Sequence, residues 1–283
     1  MTTIMKAKEA ADLVYENVKL QVDGWKDEGY EPRLAVILVE GDPASAYYAQ
    51  SKQKIAQRLG ITYDLYTYPV EVREEEIIQQ VARLNEDAGV HGIMLELPLP
   101  KHLSASTIVN AIAPWKDIDG VTPSNQRATI TGEAGLYPAT PQACIQLLKH
   151  YGYTLEGKNV TLIGRGQTVG LPLFHLLQHE QATVTVCHSR TKDLAMHLGH
   201  ADIAIAAVGR AHMIQPNMVH ERLVMVDAGI NETVDGKIVG DISPEVATQV
   251  QAISPVPGGV GTLTTAILYQ NLTKAIRLQK GVQ

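Results

Sequence analysis

The sequence predicts an α/β protein of two domains, and three observations predict it. Apolar runs of strand length alternate with stretches of helical periodicity through residues 5–97. The alternation restarts at Asn159, after a stretch (residues 113–141) rich in Pro, Gly, Thr and Asp. A Gly-rich turn, residues 164–170, then joins a strand to a helix at the head of the second block. Strands separated by helices make βαβ units and a mostly parallel sheet.

Taken in order, residues 5–28 carry helical periodicity. The first 13 residues mix Lys6, Lys8, Glu9 and Asp12 with short apolar residues, which reads as the start of an amphipathic helix and not as a secretory leader. Residues 34–39 form a continuous apolar run. A helix is predicted over Pro43–Leu59, with Asp42 as its N-cap and Pro43 in the first helical position. Extended residues 62–70, helical residues 74–85 and the apolar run 92–97 follow, and Pro98 and Pro100 end that last strand. Residues 113–141 read as loop and short elements between domains. Beyond them come a helix over 141–151 and strands over 160–163, Thr183–Cys187, 203–208, 223–226 and 252–254. A terminal helix covers residues 263–278. The expected division is an N-terminal domain of residues 1–141 and a Rossmann-like domain of residues 142–262, followed by the terminal segment 263–283.

Composition excludes several classes. Apolar residues make up 45% of 283, too many for a disordered chain. No apolar run approaches the roughly 18–20 residues of a membrane span. The two cysteines, Cys144 and Cys187, fit a reducing cytoplasm and no disulfide framework. A net charge of −6, dispersed basic residues and a single Phe argue against a nucleic-acid partner.

The glycines at 164, 166 and 170 let a backbone turn tightly and approach a pyrophosphate, whose charge is favoured at a helix N-terminus. An NAD site places an acid at the end of the next strand, to bond the ribose 2′-hydroxyl. Here that strand ends Cys187-His188-Ser189-Arg190, with no acid. Arg165, Ser189 and Arg190 suit a 2′-phosphate instead, so the expected cofactor is NADP.

In the first half, Tyr48 and Lys52 lie four apart on one helix face and can couple proton transfer to an electrostatic role. Glu96 is a charge within an apolar strand, a costly place unless it is paired or faces a cleft. Asp117 and Asp119 occur in Lys116-Asp117-Ile118-Asp119-Gly120, where turn formation is the plainer reading.

In combination these segments resemble the bifunctional methylenetetrahydrofolate dehydrogenase/cyclohydrolase family. The resemblance runs through Gly41-Asp42-Pro43-Ala44-Ser45 with Tyr48 and Lys52, Leu97-Pro98-Leu99-Pro100, the residue 116–120 segment and Tyr137-Pro138-Ala139-Thr140-Pro141. It continues through residues 164–170, Cys187-His188-Ser189-Arg190-Thr191, Asp227-Ala228-Gly229-Ile230-Asn231 and Pro255-Val256-Pro257-Gly258-Gly259-Val260-Gly261. It implies a two-domain protomer with a folate cleft, a homodimer, and a last helix returning to the first domain. It also implies oxidation of 5,10-methylenetetrahydrofolate with NADP and hydrolysis to 10-formyltetrahydrofolate, one-carbon chemistry that serves purine biosynthesis. By resemblance Lys52 is the acid/base residue, Tyr48 packs on and orients the substrate, and Asp119 holds the pterin. Thr140 and Ile230 would touch the cofactor, and the Pro257, Gly258 and Gly259 backbone would line the site.

This sequence departs from the family pattern in Glu96 where Gln is usual, Gly166 for Ser, Ala139 for Cys, Thr262 for Pro, and in Gln126-Arg127. A carboxylate at position 96 favours the charged ammonium of Lys52, which weakens it as a general base for hydrolysis. The same charge favours the cationic methenyl product. Dehydrogenase activity is therefore expected to persist, with cyclohydrolase activity weakened.

Two rival readings are an NAD(P) oxidoreductase of another small substrate and a non-catalytic folate-binding paralogue. The Tyr-x-x-x-Lys pair of short-chain dehydrogenases is excluded by order, since in that family the Gly-rich loop comes first. His175 and His179 lie four apart with no third ligand at a motif spacing, so no metal is expected.

Overall fold

The structure, a computed structural model, describes residues 1–233 and 235–281. In chain order its elements are β1 (Thr3–Ile4), α1 (Lys8–Asp27), β2 (Arg33–Val39), α2 (Pro43–Leu59), β3 (Thr62–Tyr68), α3 (Glu74–Glu86) and β4 (Gly92–Leu95). Next come α4 (Ala105–Asn110), α5 (Pro123–Thr131), α6 (Ala139–His150), β5 (Asn159–Ile163), α7 (Gly170–His179), β6 (Thr183–Cys187) and α8 (Leu194–Gly199). The chain closes with β7 (Ile203–Ala206), β8 (Val224–Asp227), β9 (Asn231–Glu232), β10 (Ile238–Val239), β11 (Ala252–Ile253) and α9 (Val260–Gln279). Val282 and Gln283, expected at the end of the terminal segment, lie outside the described residues. Among the described residues no helix is long and apolar enough to cross a membrane.

Two compact units result, one of Met1–Asp12 with Pro138–Ile267, the other of Leu13–Tyr137 with the chain from Leu268 onward. The first holds a six-stranded parallel sheet in the order β1-β11-β8-β7-β5-β6. Strands β7 and β8 are buried throughout, the pattern of parallel strands covered on both faces. Going along the chain from β5, β6 lies on one side and β7 on the other, which makes the carboxyl ends of β5 and β7 the topological switch point.

The second unit carries β3-β2-β4, all parallel, with Asp117 bridged in parallel to Ile93 beyond β4. Ala35, Ile37 and Val39 alternate along β2 and pack with Ile77, Val81 and Leu84 of α3 and Ile108 of α4. A Cβ on Gly92 would lie 2.7 Å from both Ile118 and Leu272, so a side chain there would force those two side chains to shift.

The structure corrects the sequence reading at the N-terminus. Residues 1–12, expected in the first domain, group with the second half of the chain. Thr3 and Ile4 pair with Ala252 and Ile253, and the Met5 amide donates to Ile253 O at 2.8 Å. A two-residue strand has no alternation to detect and exists only because a sheet edge receives it. The run 92–97 ends as strand at Leu95, and the stretch 113–141 contains a nine-residue helix, α5. That helix escapes a hydrophobic-period reading because its buried face includes Asn125 and Thr129.

Candidate active site

Helix α2 begins as its sequence dictates. The Asp42 carboxylate accepts the Ser45 amide at 2.9 Å, and Pro43 occupies the first turn, where its missing N–H costs nothing. The Ser45 hydroxyl, 2.7 Å from Asp42 Oδ2, also lies 3.0 Å from Leu97 O and can donate to either. This ties the start of the helix to the segment following β4. Farther along, the buried Tyr269 hydroxyl of α9 donates to Lys52 O at 2.6 Å, and Tyr63 of β3 donates to Ala49 O at 3.0 Å. Three elements thus fix the backbone that carries Lys52.

The Lys52 ammonium donates to both oxygens of Glu96, at 2.7 and 2.8 Å. Glu96 sits one residue past β4, 6% exposed, with its own amide donating to Ile37 O at 2.9 Å. A buried carboxylate persists because a cation meets it with good geometry. Burial pushes the nearby Tyr63 phenol upward, with a further push from the Glu96 charge.

Beside this pair, the residue 116–120 segment is locked at several points. Lys116 Nζ donates to the carbonyls of Leu84, Asn85 and Asp87 at 2.7–2.9 Å, satisfying the C-terminal end of α3. Asp117, wholly buried, accepts the amides of Gly120 and Thr122 and the Asn125 side chain. Asp117 therefore does the turn-forming work. Asp119 is left for other duties: burial, with the charges of Asp117 and Glu96, raises its carboxyl to about 7, and the Lys52 charge opposes that rise.

Tyr48 lies one turn before Lys52, 43% exposed, its ring edge-on to Tyr47 with centroids 5.9 Å apart. Tyr48, Lys52, Glu96 and Asp119 all fall in the unit that includes Leu13–Tyr137.

The remaining sequence-predicted residues fall in the other unit. Gly164 has φ +111°, and a Cβ there would come 2.1 Å from Ala207 O. A Cβ on Gly170 would come 2.4 Å from Gly164 O, whereas Gly166 has open space around it. The outer two glycines are required by the fold of the loop, and the middle one leaves room. Arg165, Ser189 and Arg190 are exposed, and the Gly164 amide, donating to Cys187 O at 2.9 Å, joins their two loops. No acid ends β6. This donor set fits a dinucleotide bearing a 2′-phosphate. Thr140 lies at the start of α6, its hydroxyl 3.4 Å from Thr264 Oγ1, and Ile230 is 62% exposed after β8. Gly258 has φ +98°, and a Cβ on Gly259 would meet Pro255 O at 2.3 Å, so this loop presents bare backbone.

Sequence reasoning missed Tyr269 as the clamp under Lys52 and missed the buried Asp241, and it quoted Asp227 only within a resembling segment, with no role of its own. Most of their partners are remote in sequence, and the Gly229 amide, two residues after Asp227, is the near one.

Comparison with known proteins settles the family. Residues 5–119 match the tetrahydrofolate dehydrogenase/cyclohydrolase catalytic domain, and residues 138–280 match the NAD(P)-binding domain of the same name. The chain belongs to that family. It is 47% identical over 281 residues to bifunctional protein FolD 2 of Desulfitobacterium hafniense, covering 99% of each chain. It is 49% identical over 276 residues to bifunctional protein FolD of Heliobacterium modesticaldum, covering 97% of this chain and 96% of that protein. The crystal structure of bifunctional FolD from Campylobacter jejuni superposes with a TM-score of 0.95 at 38% identity, covering 99% and 100%. The Trypanosoma brucei enzyme, solved with NADP and an inhibitor, gives 0.92 at 30% identity, covering 99% of this chain and 98% of that one.

Proposed function

We propose that this family member oxidises 5,10-methylenetetrahydrofolate to 5,10-methenyltetrahydrofolate with NADP and hydrolyses the product to 10-formyltetrahydrofolate. The observation that carries the reading is the Lys52 ammonium held by both oxygens of Glu96, in the same unit as the half-buried Asp119. When bound, the dinucleotide supplies the hydride acceptor. Asp119, ionised, accepts paired N–H bonds from the amino-pyrimidine edge of the pterin. Tyr48 packs on the folate and orients it, and Lys52 serves as the acid/base group.

Hydride loss leaves a cation at the former methylene carbon, and the Glu96 carboxylate stabilises positive charge where it develops. The same carboxylate engages the Lys52 ammonium through both oxygens, which competes with its action on the attacking water. The hydrolytic step is therefore the weaker of the two. On the cofactor side, Gly164, Gly166 and Gly170 accommodate the pyrophosphate, and Arg165, Ser189 and Arg190 hold the 2′-phosphate. Thr140 and Ile230 add contacts, and the Pro257, Gly258 and Gly259 backbone admits a ligand closely. A cytoplasmic homodimer serving purine biosynthesis is the setting that the family resemblance supports.

The test is a paired assay on purified protein, following reduced cofactor and methenyl absorbance separately with NADP and then NAD. NADP reduction with a lingering methenyl signal is the expected result. Rapid loss of that signal would remove the argument from Glu96. No reduction with either cofactor would replace the dehydrogenase reading with that of a folate binder.

A further inference from the structure

At the carboxyl ends of β7 and β8 two buried aspartates interlock. Asp241 has no exposed surface, and no cation pairs with it among the described residues. Its Oδ2 accepts the amides of Val208 at 2.7 Å and Gly209 at 3.1 Å. Its Oδ1 accepts the Arg210 amide at 2.7 Å and the Asn231 side-chain amide at 3.0 Å. Three successive backbone N–H groups converging on one anion form a nest, and Gly209, at φ +64°, supplies the left-handed residue such a turn needs. Asp227 in turn accepts the amides of Gly229, Asp241 and Ile242 at 2.9–3.1 Å.

The packing admits no slack. A Cβ on Gly240 would lie 2.0 Å from Asp227 Oδ2, and one on Gly229 would lie 2.3 Å from Asp241 Cγ. The peptide before Val208 is the one whose carbonyl closes on Gly164, so the nest also fixes the wall against which the Gly-rich loop rests. Ile230 is held from both sides. Gly229 before it is bonded to Asp227, and Asn231 after it is bonded to Asp241, while the Ile230 side chain itself is mostly exposed. An exposed apolar side chain on so rigid a mount, beside the switch point of the sheet, is placed for a ligand.

We propose that Asp241 is a positioning residue for the dinucleotide, acting through Ile230 and through the loop of Val208, Gly209 and Arg210. The proposal rests on the NADP reading above. It assigns Asp241 no contact with the cofactor. Its charge is spent on inward-facing donors, so it shapes the crevice without presenting an open acceptor to an anionic ligand.

The test measures NADPH binding directly, by fluorescence titration of the full chain, so that it is read apart from folate turnover. Asp241→Asn turns one acceptor into a donor facing amides, and NADPH Kd is expected to rise about tenfold, the scale of one lost charge-assisted hydrogen bond. The folate KM at saturating NADP should change less than twofold. Ile230→Ala, at an exposed position that folding tolerates, should weaken NADPH as well. The double variant should lose less than the sum of the two effects, because both act through one contact. Asn231→Ala removes a single bond to Asp241 and should give a smaller rise of the same sign, a second route if Asp241→Asn does not fold. Unchanged NADPH affinity in the folded variants, or strict additivity, would overturn the proposal. A wild-type protein that binds NADPH but does not oxidise methylenetetrahydrofolate would overturn the functional reading and leave this one standing.

Discussion

Glu96 and Asp241 are both carboxylates with almost no exposed surface, yet the protein neutralises them by different means. Glu96 is met by one ammonium, at the end of a four-carbon stem. Asp241 is met by three main-chain amides and one side-chain amide. A cation on a flexible stem can shift toward a substrate or give up a proton without moving the backbone. Amides cannot do so, and a carboxylate held by them is committed to shape. The contrast separates a place where charge is kept available for chemistry from one where charge is used to build a wall. Asp119 stands with the first kind, since burial raises its carboxyl to about 7 against the opposing charge of Lys52.

The largest break in this contrast comes from removing the cation. Lys52→Met should lower cyclohydrolase turnover by roughly 10²–10⁴-fold, the scale of general acid–base catalysis, as read by methenyl absorbance. It also leaves Glu96 buried without its partner. A cost of about 3 kcal/mol, at the lower end for a broken buried pair because Lys52 keeps some solvent contact, should appear in urea denaturation. A full-activity Lys52→Met enzyme would dissolve the distinction.

Asp119 provides the pH test. Its folded carboxyl is raised from 3.8 to about 7, chiefly by burial. The ionised form is the one proposed to bind the pterin, so kcat/KM for folate should fall as pH drops below about 7. The stability consequence has the opposite sense. A raised carboxyl means that the folded state holds its proton longer than the unfolded chain does. Its contribution is full below 3.8 and is lost as pH rises through about 7. Asp119→Asn should therefore raise Tm relative to wild type more at pH 8 than at pH 5, while lowering kcat/KM for folate at both. A Tm difference that does not vary with pH would show that the Asp119 carboxyl is not raised.

Glu96→Gln keeps a hydrogen-bond acceptor for Lys52 and removes the charge. The cyclohydrolase-to-dehydrogenase ratio should rise several-fold as the two-oxygen grip on the Lys52 ammonium is lost, and an unchanged ratio would sink that account. The smallest effect belongs to the cofactor loop. Gly166→Ser enters open space and should shift stability by about 0.5 kcal/mol or less, in the range of surface substitutions. Gly164→Ala, meeting Ala207 O at 2.1 Å with φ +111°, should destabilise far more in the same thermal scan.

Much of the molecule was legible from local pattern. The limits of α2, its Asp42 cap, the β6 strand and the Gly164 and Gly170 turn follow from short-range rules of capping, period and sterics. The absence of an acid after β6, which favours NADP, also needed only the order of residues. Motif spacing brought Lys52, Glu96 and Asp119 into one candidate set by resemblance.

What sequence could not decide is what depends on partners far along the chain. That Glu96 would be bound by Lys52 through both oxygens, 44 residues apart, required β4 and α2 to be placed side by side. That Thr3 and Ile4 would join a sheet built from the other end of the chain depended on an edge at Ala252 and Ile253. Asp241 draws its three main-chain amides from residues 31–33 positions earlier, so short-range pattern does not mark it. Local rules fix dihedral preference and which faces are apolar. The partner of a buried charge is chosen by the whole fold, because only the assembled chain determines which donors water can no longer reach.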